Sequence, residues 1–123
     1  MDMIDRDYLA EMRQWVGDAV LHALVTQAAE NFAIPLADMM SAWRHGATAP
    51  LHDAAHRLKG AAASMGCTPL ATAAFHMMTD SRPADSISGA EIHALQDLSR
   101  HSLDALRAFL DQAQEIPVPP NPQ

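Results

Sequence analysis

Between Asp18 and Trp43 the apolar residues Leu21, Leu24, Val25, Ala28, Phe32, Leu36, Met39 and Trp43 recur at spacings of three and four. That interval is the period of an α-helix with one face turned to a core. A second stripe of the same kind runs through Ile92, Leu95, Leu98, Ser99, Leu103, Leu106, Leu110 and Ala113. Gly is scarce while Ala, Leu and Met are frequent, which favours helix over sheet. The chain therefore reads as all-α.

Punctuation marks where each helix begins and ends. A short first helix is expected from about Asp5 to Trp15, and a long second one from about Asp18 to Trp43. Pro35 lies inside the second and should kink it or split it near Asn31. His45-Gly46-Ala47 ends it. A third helix starts at Thr48-Ala49-Pro50, where Pro suits a first turn, and stops at Gly66. A fourth opens with Thr68 as N-cap and Pro69 at the first helical position, and ends between Asp80 and Pro83. The fifth opens with Ser88-Gly89-Ala90-Glu91, a capping-box pattern. Four useful helices with short connections predict an antiparallel four-helix bundle over residues 1–115. The short N-terminal helix would lie across one end. Residues 116–123 hold four prolines and cannot continue a helix, so they read as an extended tail.

A chain of 123 residues has room for one domain and one core. Its formal net charge of -7, with only eight scattered Lys and Arg, argues against a nucleic-acid partner. No apolar run approaches the ~20 residues a membrane span needs. The start shows no signal peptide, and a lone cysteine, Cys67, cannot form an internal disulfide. The expected setting is cytoplasmic, and Cys67 is expected to be a small buried apolar residue. The natural-looking start and Pro-rich end favour a free-standing protein.

The third helix carries the chemistry. Leu51, Ala55, Leu58, Ala62 and Met65 form its core stripe. His56 then points roughly 140° away from that stripe, toward solvent. Its neighbours on the outer face are Lys59, Gly60 and Ala63. Gly inside a helix costs about 1 kcal/mol relative to Ala, so Gly60 asks for a non-structural reason. An exposed imidazole stands on a nearly bare patch of helix with one cation beside it. A neutral imidazole is a nucleophile suited to an acyl phosphate, and a lysine can meet phosphoryl oxygens as a point charge.

The run Ala55-His56-Arg57-Leu58-Lys59-Gly60-Ala61-Ala62-Ala63-Ser64-Met65-Gly66 resembles the signature of the histidine-containing phosphotransfer (HPt) domains of two-component phosphorelays. Val16-Gly17-Asp18 and Phe32-Ala33-Ile34-Pro35-Leu36 look like the second helix of that family. The resemblance covers about residues 5 to 113 and implies a four-helix bundle whose histidine is phosphorylated on a ring nitrogen. It makes His56 the phosphoacceptor and Lys59 its phosphate partner. It implies response-regulator receiver domains and a hybrid sensor histidine kinase as partners. The Mg²⁺ would come from the receiver, with no cofactor of the chain's own. Where several relatives place a Gln or Glu on the next helix, this chain has Met78, with Arg82 as a substitute on the same stripe.

The fourth helix keeps Leu70, Ala74 and Met77 for the core and leaves Phe75, Met78 and Arg82 off it. With Gly60 and Ala63 these form the expected docking surface. Two other readings compete. His52 and His56, four apart, could share a metal in a hydrolase, with His76 or Glu91 as the default third ligand. Alternatively, the bundle could bind receivers without carrying phosphate. No Gly-rich phosphate loop is present, so the chain is not expected to use ATP itself.

Overall fold

The computed structural model describes residues 2–115, the side chains of 113–115 excepted. Among these residues there are five α-helices, one 3₁₀ turn and no strand. The helices are α1 (Arg6–Val16), α2 (Asp18–Arg44), α3 (Thr48–Ser64), α4 (Thr68–Met78) and α5 (Gly89–Glu115), and the 3₁₀ turn is Ala84–Ser86. Residues 116–123, expected to be an extended tail, lie outside the described residues.

The helices form where the apolar stripes lie. In α2, Leu21, Val25, Ala28, Phe32, Leu36 and Met39 are buried, and Leu24 and Trp43 are half-buried. In α3, Leu51, Ala54, Ala55, Leu58 and Ala62 are fully buried, with Met65 at its C-terminal cap. Leu70, Ala74 and Met77 face inward from α4, as do Ile92, Leu95, Ser99, Leu106 and Leu110 from α5. Packing runs α2 to α3, α3 to α4, α4 to α5 and α5 back to α2, while α1 packs on α2. One continuous core results.

α1 is held at both its start and its side. The Asp5 carboxylate accepts from the Tyr8 N–H at 3.0 Å, an N-cap. The Asp5 N–H donates to the Gly66 carbonyl at 2.8 Å, and the Tyr8 hydroxyl donates to the Ser64 carbonyl at 3.0 Å. These bonds fix α1 to the end of α3.

Three local expectations need correction. α2 is not split near Asn31, because it runs unbroken through Pro35. The Pro35 ring is buried in the core, while Asn31, whose carbonyl loses a donor, lies on the exposed side. The cap of α4 is Cys67, without a side-chain bond, and Thr68 is already helical. α4 also stops at Met78, not between Asp80 and Pro83, so Arg82 is not on the helix. Its last turn closes with the Thr79 N–H and hydroxyl both donating to the Phe75 carbonyl. Pro83 then keeps Arg82 out of helical conformation.

Candidate functional site

α3 turns two different faces outward and inward. Leu51, Ala54, Ala55, Leu58 and Ala62 are sealed in the core, so the opposite face of the helix projects away from it. His56, Gly60 and Ala63 are exposed and Lys59 is half-buried. A Cβ built on Gly60 would meet nothing within 4 Å, so the space above it is open. The fully buried inner face anchors the helix that carries the imidazole.

Among the described residues the imidazole has one hydrogen-bonding partner. Nδ1 of His56 lies 3.1 Å from the Met78 thioether sulfur, at the end of α4. Met78 thus stands against the histidine, half-buried, and is more than exposed apolar surface. The Lys59 ammonium rests over the Phe75 ring, 5.6 Å from its centroid, a cation–π contact across α3 and α4. Phe75 is 42% exposed, and its ring meets the His76 ring edge-on at 5.9 Å. An open, largely apolar groove runs beside the patch. Tyr8, Lys59, Ala63, Ala71, Thr72 and Phe75 line it.

Of the residues singled out in the sequence, His56, Lys59, Phe75 and Met78 are therefore linked pairwise, with Gly60 and Ala63 opening the face beside them. Arg82 is not part of this set. Its guanidinium pairs with Asp80 at 2.7 Å and with Glu91 at 2.6 Å. Those bonds close the connection between α4 and α5. The hydrogen bonds from Arg82 hold the Asp80 carboxyl down at about 2 and the Glu91 carboxyl below its ordinary value. Tyr8 was not singled out in the sequence. Its place in the groove depends on how α1 lies against α3, which no periodicity encodes.

Among the described residues no group of three or more His, Cys, Asp and Glu side chains is placed to hold an ion. His52 and His56 also differ in surroundings. The Nε2 atom of His52 is buried and has no hydrogen-bond partner, whereas His56 is exposed and faces Met78. His76 meets the Phe75 ring edge-on, and Glu91 is taken by Arg82. Cys67 is fully buried and free, and burial pushes its thiol up to about 12, so it is not a nucleophile.

Residues 6–116 match the family model of the Hpt domain. The chain belongs to the Hpt domain family. No curated protein and no solved structure matches it. Hpt domains are helical phosphocarriers of two-component phosphorelays, not enzymes in themselves, and they work with receiver domains and histidine kinases. Among the described residues of this Hpt domain, no helix is long and apolar enough to cross a membrane.

Proposed function

We propose that this Hpt domain accepts a phosphoryl group on His56 from a phospho-aspartyl receiver and passes it to the aspartate of another receiver. The observation that carries this reading is the bare outer face of α3. An exposed imidazole stands there one turn from a glycine with open space above it, and Lys59 flanks it. The short connections 45–47 and 65–67 support an antiparallel arrangement of α2 to α5 around the core that holds this face.

A phosphorylated receiver docks over Gly60, Ala63, Phe75 and Met78. The imidazole nitrogen attacks phosphorus in line, a P–N bond forms, and the P–O bond to the receiver's aspartate breaks. The aspartate leaves as a carboxylate. In the second half the steps reverse on a different receiver. The receiver supplies Mg²⁺ and most of the charge stabilisation, and the Hpt domain supplies a positioned imidazole. Lys59, on its flexible stem, exchanges the Phe75 ring for the phosphoryl oxygens. A hybrid sensor kinase fits the donor role, since its receiver holds an acyl phosphate. The chemistry belongs to the cytoplasm, and a lone unpaired thiol fits a reducing compartment.

The test is labelling by a panel of phosphorylated receivers. His56→Gln should abolish the label and leave the helical circular dichroism unchanged. The label on the wild-type chain should be acid-labile and alkali-stable, as a phosphoramidate is. Labelling that persists in His56→Gln would assign the group to another residue and end this reading.

A further inference from the structure

The Lys59 ammonium lies 5.6 Å from the centroid of the Phe75 ring, and no carboxylate of the described residues pairs with it. A phenyl face attracts a cation through its negative quadrupole, so the contact is weak and readily exchanged. Lys59 is on α3 and Phe75 on α4. Their neighbours in sequence, Leu58 and Ala74, are fully buried, so the packed helices hold the two stems at a set separation. His56 stands three residues before Lys59, about 4.5 Å along the helix axis. A phosphoryl group on His56 projects outward there, while the ring keeps the ammonium one turn further on. Reaching the phosphoryl oxygens takes the ammonium off the ring.

We infer that Phe75 is a positioning residue that opposes the phosphorylated state: its ring holds the Lys59 ammonium only while His56 is unphosphorylated, so the domain takes the phosphoryl group less completely and is a better donor than Lys59 alone would make it. The inference rests on the carrier reading, in which Lys59 meets the phosphoryl oxygens. Phe75 acts through Lys59 and touches no reacting atom in this role. The P–N bond formed and the acyl P–O bond broken are the same whatever stands at position 75. Only the ring contact, present on one side of the exchange, moves its equilibrium.

The experiment measures the equilibrium ratio of phosphorylated domain to phosphorylated receiver, with a receiver that labels the wild-type chain and both proteins dilute. Docking strength alters how fast that ratio is reached and not its value, which separates this role from a place in the docking surface. Phe75→Leu should raise the ratio by about two- to fivefold, the strength of a surface cation–π contact. Phe75→Trp, the better ring, should leave it at or below the wild-type value. In a Lys59→Met background, which removes the ammonium and keeps most of the stem, Phe75→Leu should move nothing. The Lys59 ε-methylene protons report the contact directly, through an upfield ring-current shift in ¹H–¹³C NMR. That shift should be present in the unphosphorylated wild type, absent in Phe75→Leu and lost when His56 is phosphorylated. A wild type without it, a shift that survives phosphorylation, a ratio unchanged or lowered by Phe75→Leu, or an equal rise in the Lys59→Met background overturns the inference and leaves the carrier reading standing. If no receiver labels His56, the carrier reading falls and the inference falls with it, even where the ring-current shift is present.

Discussion

Gly60 sits mid-helix, where glycine weakens an α-helix by leaving the backbone free in the unfolded chain. Nothing in the fold asks for it, since a Cβ at this position meets no atom within 4 Å. Gly60→Ala should therefore stabilise the protein by up to about 1 kcal/mol. Gly60→Gln should also fold, because its longer side chain extends into open space. That same side chain would stand where a receiver's backbone comes down beside His56. Phosphotransfer to Gly60→Gln should drop steeply while the melting temperature holds or rises. Thermal unfolding and single-turnover labelling, run on the same samples, check both directions. Wild-type transfer by Gly60→Gln would move docking away from this face, and unfolding would mean that the glycine is packed.

At the scale of elements, the five helices were legible because each carries its own period of apolar residues and its own stop signals. The capping box of α5 is present as read. The Ser88 N–H donates to the Glu91 carboxylate at 2.8 Å, and the Glu91 N–H donates to the Ser88 hydroxyl at 3.3 Å. The end of α4 was not legible, because it is set by side chains that meet after the chain has turned. Thr79 closes the last turn, and Arg82 gathers Asp80 and Glu91 from either side of the connection. This cluster makes an acid-sensitive joint. Both carboxyls titrate below their ordinary values in the folded protein, Asp80 at about 2. Groups depressed in this way stabilise the fold above their unfolded pKa values, near 4, and lose that contribution as pH falls toward about 2. Arg82 is exposed and both carboxylates are half-buried at the surface, so the effect is small and weakens with salt. Arg82→Ala should lower the melting temperature at pH 6, by a margin that shrinks through about pH 4 and vanishes near pH 2. A margin that persists at pH 2 would show that Arg82 acts through packing and not through these pairs.

Across the whole molecule, the core and the candidate site share one helix but use opposite faces of it. His56 was legible as exposed because Leu51, Ala55, Leu58 and Ala62 fix the rotation of α3. The contacts made on this face were not, since Met78 reaches His56 and Phe75 reaches Lys59 from α4, and Tyr8 joins the groove from α1. A stripe on one helix says which way a residue points and not what arrives from the next helix. The same separation predicts that stability and transfer can be damaged independently. Leu58 is fully buried, flanked in sequence by Arg57 and Lys59 on the outer side. Leu58→Ala removes buried methyl and methylene groups and leaves a cavity, a loss of about 2–5 kcal/mol. For a domain whose total stability is about 5–15 kcal/mol, that is a large share. The melting temperature should fall by roughly 10–20 °C. Below the transition, however, the outer face of α3 should be unchanged, and transfer per folded molecule should stay within about twofold of wild type. His56→Gln should show the reverse, with full stability and no transfer. The pair is read by calorimetry and by single-turnover labelling at about 10 °C, where Leu58→Ala remains mostly folded. If folded Leu58→Ala loses transfer, the imidazole depends on core packing for its position, and the two faces of α3 are one cooperative unit.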